Sequence, residues 1–431
     1  MAESEPVHGT DAFGLEELFF STTDERGFIR SSNDVFVRVS RYQRDELLGQ
    51  PHNIVRNPAM PRIVFRELWD HLQAGEGIGA YVLNRAKDGS PYWVFAVARP
   101  VVGGHLSVRL KPTTPLFPVV VSLYEELRSV EAGVEQGGRH HAEAMEASAA
   151  VLADRLAEVG FDSYDTFMRV ATVAEVTARR TALGATGLHG DGRHSLAAFL
   201  DGELGSIEAY LALNRQLTER SANLVTLTGE ASLLGFNVKV AASRVGGDGA
   251  PLQALAGIMQ EVGLELVECS RALRLRLDST RSALERVGFS IAVASLQNDM
   301  AAIFAAESTD DHPEARESGA LMADCLRTDL DTVVDALQGI DANLTVAGDL
   351  VADLTRSLQT LYAVIGSSRV EATRTTGAGF FVALFERAES IVGSGLDDAR
   401  SISAAVAGFT RNRPTPDRAG MLRELEAPAM A

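Results

Sequence analysis

The chain has 431 residues, of which 46% are hydrophobic and 23% charged, the composition of a globular protein long enough for two or three cores. Its 58 acidic residues outnumber 40 basic ones, for a formal charge of -18. That charge argues against nucleic acid and anionic lipid as partners, and two distant cysteines, Cys269 and Cys325, exclude a disulfide framework or a CxxC site.

The N-terminal MAESEPVHGTD has neither a basic n-region nor an apolar h-region. Uncharged stretches such as Pro115 to Tyr124 and Thr375 to Phe385 reach about half the length needed to cross a bilayer. The expectation is a cytoplasmic protein with no membrane span. From Leu15 to Pro112 the pattern has strand character. Leu18 to Ser21 and Phe28 to Ser31 read as a hairpin turned by DERG. Ser32-Asn33-Asp34 caps a short helix, a second short helix starts at Asp45 and ends at Gly49, and PRIVFRELWDHL is helical with Val64, Leu68 and Leu72 on one face. Three strands follow, Ala80 to Arg85, Trp93 to Val102 and Leu106 to Lys111, joined at KDGSP and GGH. This is a compact α+β unit.

Pro112, Pro115 and Pro118 mark its end, and the remainder reads as helix. Between Val119 and Leu200 the helices break at Gly137-Gly138, at Gly184 and at HGDGRH. Heptad spacing then runs from Leu217 to Val238, pauses at GGDGAP and resumes from Leu252 to Leu273, which predicts an antiparallel helical hairpin with Pro251 in the first turn of the returning helix. The longest seam runs Leu330, Val333, Leu337, Ile340, Leu344, Ala347, Val351, Leu354, Leu358, Leu361 and Ile365, a long coiled-coil or bundle helix. Residues 411–431 read as a disordered tail.

No nucleophile with its base and no metal cluster is legible, so the chain reads as a non-enzyme. Gly246-Gly247-Asp248-Gly249 has no strand before it and no Lys-Ser/Thr after it, which makes it a turn rather than a phosphate loop. His140-His141 with Glu143 reads as a solvated helix face, and Cys269 as a small core residue on the heptad seam. The remaining candidate is GQPHNIVRNPAMPR, Gly49 to Arg62. Pro51, Pro58 and Pro61 stiffen it, His52, Asn53, Arg56 and Asn57 supply donors for phosphate or heteroaromatic edges, and Trp69, Tyr92 and Trp93 offer stacking surfaces. On residue types alone two readings stay open: a ligand site, or a polar surface loop whose Arg56 pairs with a local acid.

Three stretches, STTDERGFIRSSNDVFVRVSRY, DELLGQPHNIVRNPAMPR and NRAKDGSPYWVFAVARPV, together resemble the PAS domain of bacterial aerotaxis receptors. The resemblance implies a five-stranded antiparallel sheet with short helices over residues 15–112, holding FAD non-covalently, with Asn33, His52, Arg56, Asn57 and Trp69 at cofactor-site positions. Asn57 stands where that family has a histidine, Ala59 where it has an aspartate, and Ile78 where a tryptophan is usual. Haem, or no ligand at all, are the alternatives. LTGEASLLGFNVKVAASRVGGDGAPLQALAGIM, Leu227 to Met259, resembles the signalling tip of methyl-accepting chemotaxis proteins. It matches at Leu234, Asn237, Ala242, Arg244, Gly246, Gly249 and Ala256, and departs at Gly229, Ala241, Gly247 and Ala250-Pro251. That resemblance implies a helical connector over 113–203 and an output region over 204–410. It also implies a homodimer through the heptad helices, and a chemotaxis adaptor and histidine kinase as partners near Asn237, Arg244 and Gly246. Together the two resemblances imply a sensory transducer for redox or oxygen. The alternative is a scaffold protein that has lost its cofactor and its kinase coupling.

Overall fold

The computed structural model describes residues 12–138, 140–185, 194–244, 249–307, 313–374 and 378–412. Outside them lie the MAESEPVHGTD leader up to position 11, most of HGDGRH, residues 246–248 of the glycine turn, and the tail from 413.

Five strands, β1 (Phe19–Asp24), β2 (Ile29–Ser32), β3 (Ile78–Arg85), β4 (Pro91–Val101) and β5 (Gly104–Leu110), form one antiparallel sheet in the order β2-β1-β5-β4-β3. The β1–β2 hairpin closes where expected. Gly27 takes φ +82, its N–H donates to the Asp24 carbonyl at 3.0 Å, and the register slips between Thr22 and Thr23, the signature of a glycine-closed bulged turn. Between β2 and β3 the chain forms α1 (Asp34–Ser40), α2 (Arg44–Leu47), a single 3-10 turn at His52–Val55, and α3 (Arg62–Gln73).

The sheet's two faces do different work because side chains alternate along each strand. One face, with the short helices, encloses a cavity. α4 (Leu116–Gln136), α5 (His141–Glu158) and α6 (Tyr164–Ala185) follow the sheet; α6 packs on the other face at β3, α4 meets that face through Phe117 and Tyr124 against Trp93, and α5 lies against α3. α6 ends at Ala185, one residue after Gly184, at the place where a break was expected. α6 approaches β3 so closely that a Cβ on Gly79 would sit 2.3 Å from Thr172 Oγ1. Glu175, fully buried on α6, fastens this contact. Its carboxylate accepts from Tyr81 Oη at 2.7 Å, Thr113 N at 2.7 Å and Thr114 Oγ1 at 2.7 Å.

Four long helices complete the chain: α7 (His194–Arg244), α8 (Ala250–Glu307), α9 (Pro313–Ala372) and α10 (Ala378–Asn412). α8 contains a window long and apolar enough by composition to cross a membrane, which the sequence reading overlooked; 61% of it is buried inside the protein. Residues up to Ser206 with Glu285–Val334 make one compact unit, and Ile207–Leu284 with the helices beyond Asp335 make another. In the first, Phe20 meets Phe304 edge-on at 4.7 Å, and Arg179 and Arg180 both pair with Asp299.

The second unit is an antiparallel four-helix arrangement around one apolar core. Gly235 lies against Met259 in the α7–α8 hairpin and Gly348 against Val406 in the α9–α10 hairpin. The nine seam residues from Leu337 to Ile365 are buried here, none more than 3% exposed, while the first two, Leu330 and Val333, are buried in the first unit. α10, read from sequence only as part of a general helical region with no seam of its own, supplies the fourth wall. The two hairpins repeat one another: at constant spacing, buried Leu217, Leu224, Ala231, Val238 and Ala242 match buried Ala347, Leu354, Leu361, Ser368 and Ala372. On the return helices Leu252, Ala256, Met259 and Leu273 match Phe381, Phe385, Ala388 and Ile402.

Both tryptophans, Trp69 and Trp93, lie in the sheet unit. Denaturant unfolding followed by their fluorescence is expected to show Glu175→Ala losing about 3 kcal/mol and Tyr81→Phe about 1 kcal/mol, because the first orphans several donors and the second only one acceptor lobe.

Candidate functional site

The stretch from Gly49 to Arg62 is held against the β1–β2 hairpin. His52 N donates to the Gly27 carbonyl at 2.9 Å, and Gly49 N and Ile29 N bond to the Ile29 and Gln50 carbonyls, each at 2.8 Å. With Pro51 and Pro61 both at φ −63, the segment is fixed before any ligand arrives. It delivers His52, Asn53 and Arg56 to the rim of a cavity of about 400 Å³ between the sheet and α3.

The sheet wall of this cavity follows the two-residue period. Ser21 and Thr23 come from β1, Val82 and Asn84 from β3, Ala96 and Ala98 from β4, and His105, Ser107 and Arg109 from β5. α3 supplies Phe65, Leu68, Trp69 and Leu72. Trp69 meets His105 edge-on at 5.3 Å, and a Cβ on Gly27 would come within 3.0 Å of its ring. Gly27 is therefore required twice, for its backbone angle and to admit the indole.

α3 has Pro61 at its N-cap, with no side-chain cap of its own. The cap comes from α4. Glu131, fully buried, accepts from Arg62 N at 2.9 Å and Ile63 N at 3.1 Å, and from Ser148 Oγ of α5 at 3.1 Å. A carboxylate at a helix N-terminus satisfies orphan donors and favours the dipole. Beside it Arg62 pairs with Glu135 at 2.9 Å and Arg66 with Glu146 at 3.1 Å. His141 and Met145 of α5 thereby come to the cavity's edge.

Of the five residues expected at a cofactor site, the structure brings three together: His52, Arg56 and Trp69. Asn33 and Asn57 do not line the cavity. The Asn33 side chain accepts from Phe20 N at 3.0 Å and donates to the Leu18 carbonyl at 2.8 Å while capping α1, so its polar groups are occupied by the β1–α1 junction. Asn57 accepts from Ala59 N at 3.0 Å in a local turn. Arg56 rests over the Phe65 ring at 4.0 Å rather than pairing with an acid. Trp93 packs on Phe117 at 5.4 Å and Tyr92 stacks on Phe19 at 6.0 Å, so neither ring is offered to a ligand. At the distal hairpin Asn237 and Arg244 are exposed, and Gly246 lies outside the described residues. Cys269 is half-buried with Sγ 3.4 Å from the Leu350 carbonyl, and burial raises its pKa.

Sequence reasoning missed Arg109. It is 4% exposed, and its Nη2 lies 2.9 Å from Ser21 Oγ and 2.6 Å from His52 Nε2. A guanidinium only donates, so Nε2 of His52 is the acceptor and the imidazole proton sits on Nδ1. Burial first, then the adjacent Arg109 charge, holds the His52 pKa down to about 3, and burial lowers that of Arg109 to about 10. His52 is thus neutral beside a charged Arg109. A signal was present: LSVRL places an arginine at an inward strand position otherwise filled by small or polar residues, which plain surface alternation does not explain.

The description "PAS fold" matches residues 19–112. Residues 19–112 are a PAS domain. Over 119 residues the chain is 43% identical to the aerotaxis receptor of Escherichia coli K12, covering 26% of this chain and 24% of that one. Over 82 residues it is 32% identical to the biofilm dispersion protein BdlA of Pseudomonas aeruginosa, covering 19% and 20%. The chain thus spans about a quarter or less of the length of these curated relatives. Among solved structures, the light state of the blue-light photoreceptor Aureochrome1 LOV is 18% identical, with a TM-score of 0.23 over 24% of this chain and 88% of that one. The PAS cavity is the one between sheet and α3.

A neutral buried His52 makes a pH prediction. Its unfolded pKa near 6.5 exceeds its folded value of about 3, so the unfolded state binds the extra proton and the contribution to stability is full above pH 6.5 and lost as pH falls towards 3. Thermal melts between those limits should fall more steeply for the native chain than for His52→Gln, in which that proton site is gone.

Proposed function

We propose that this chain is a cytoplasmic sensory transducer whose PAS cavity holds a flavin and whose helices are its output. The observation that carries the reading is the lining of the cavity. It combines an apolar slot with five arginines, three histidines and no carboxylate, in a chain of formal charge -18 that is 43% identical to an aerotaxis receptor over 119 residues. Such a lining suits a flat heteroaromatic with acceptor edges and phosphate. Trp69, Leu68 and Val82 would flank the ring system, His52, Asn53 and Asn84 would meet its polar edges, and Arg56, Arg62 and Arg66 would hold phosphate towards the α4–α5 side. The bound flavin would supply a redox-dependent charge.

A change of charge in the cavity acts on strands whose opposite face grips helix. β3 presents Val82 and Asn84 to the cavity and Tyr81 to Glu175, so a shift of β3 is felt at α6 and at the Thr113-Thr114 connection to α4. Exposed Asn237 and Arg244 at the hairpin tip remain the candidates for contact with a chemotaxis adaptor and kinase. The haem alternative is less well supported, because His52 Nε2 already accepts from Arg109.

An absorption spectrum of the full chain as purified, and again after incubation with FAD, tests this. Flavin bands in the near ultraviolet and blue are expected, with binding weakened about tenfold or less by Trp69→Ala through loss of one stacking ring. A flat spectrum in both samples overturns the cofactor; a Soret band replaces it with haem.

A further inference from the structure

The inner wall of the PAS cavity carries a charge with no carboxylate to balance it, only the face of the Phe36 ring 5.1 Å from the Arg109 guanidinium. Arg109 Nη2 meets only the neutral acceptors Ser21 and His52, and Nη1 is buried with no hydrogen-bond partner. Arg62 and Arg66 have Glu135 and Glu146, whereas no aspartate or glutamate lines the cavity near Arg109. A buried guanidinium without a counter-charge is strongly unfavourable, and a bound anion removes that penalty.

We propose that Arg109 is the anion-recognition group of this cavity, selecting ligands that bring a negative or electron-rich oxygen edge to its inner wall. The proposal rests on the flavin reading and adds the residue that senses the ring's charge state: an anionic ring system beside Arg109 is favoured over a neutral one. The test compares the midpoint potential of flavin bound to the full-length native chain, Arg109→Gln and Arg109→Lys. Arg109→Gln is expected to weaken the preference for the reduced, anionic ring about tenfold or more, a lowering of about 30 mV or more for a two-electron couple, and Arg109→Lys to keep most of it. The melting temperature of flavin-free Arg109→Gln is expected to equal or exceed that of the flavin-free native chain, since an uncompensated charge has been removed. An unchanged potential in flavin-loaded Arg109→Gln, or a lowered melting temperature of the flavin-free variant with no shift in Arg109→Lys, makes Arg109 structural and overturns the assignment alone. A native chain that binds no flavin overturns the flavin reading and this proposal together.

A second inference stands independently on the distal helices. The heptad seam that suggested pairing between two copies is buried within one chain. The matched positions of its two hairpins differ in volume: small Ala256 of one stands where the other has Phe385, and Ala388 where the first has Met259, while Gly395 admits both Leu224 and Leu358. Polar bonds also cross between the hairpins, Arg220 to Asp398 at 2.9 Å and Arg276 to Asn343 at 3.0 Å. Two identical hairpins would instead stack large on large and small on small. We infer that one chain supplies both halves of a pseudo-twofold bundle, so that the output unit is complete without a second copy.

In a Cys269→Ser, Cys325→Ser background, Leu224→Cys with Gly395→Cys places one thiol on each hairpin. Oxidation of the full chain is expected to give an intrachain bond, seen as a shifted band at monomer mass on a non-reducing gel; a covalent dimer shows exchange between copies and overturns the inference. Ala256→Phe and Phe385→Ala are each expected to lower the melting temperature, and the double variant to recover much of the loss. Additive losses overturn the volume complementarity.

Discussion

Val82 and Asn84 enter the cavity while Tyr81, one residue away, reaches Glu175 on α6, and the sheet unit depends on this two-residue alternation. A strand cannot move its cavity-facing residues without moving those that hold helix, because both project from one backbone. Gly79 tightens the coupling. With no side chain there, α6 lies directly on β3, and a contact at that distance transmits displacement rather than absorbing it.

Two buried carboxylates extend the same logic. Glu175 ties β3 to the segment leaving β5, and Glu131 caps α3, the helix that carries Trp69 and Phe65 into the cavity. Each serves donors that the sheet unit itself leaves open, so the helices after Pro112 are part of the PAS domain's hydrogen-bond accounting rather than a separate attachment. The arginines at the α4–α5 side are held by carboxylates of that same hairpin, and phosphate arriving there would compete with Glu135 and Glu146 for them. Arg109, deeper and unpaired, has no such competitor.

Local signals made the sheet unit legible. The DERG turn, the Asn33 cap and the KDGSP connection are each encoded within a few residues, and strand alternation did the rest. His52, Arg56 and Trp69, the three of the expected residues that line the cavity, lie on short stiff segments or on an amphipathic helix. Asn33 and Asn57 make local bonds instead of lining the cavity, because an amide's partners are set by backbone geometry that composition does not reveal. Arg109 was overlooked because a single basic residue in a strand is ordinary until the neighbouring strands show that it faces inward with no carboxylate beside it.

Sequence by itself determined the element types, the hairpin turns and the seam positions of the long helices, since these follow from side-chain period and from turn chemistry that act over a few residues. Tertiary structure decided what covers what: that α6 and the α8 segment carrying Phe304 occupy one face of the sheet, that Glu131 and Glu175 act as caps for distant donors, and that α10 closes the distal core around a seam which could equally have met a second copy. Periodicity specifies that a face must be buried. Which partner buries it depends on matching volumes and charges across long sequence separations, as Gly395 with Leu224 and Arg220 with Asp398 illustrate.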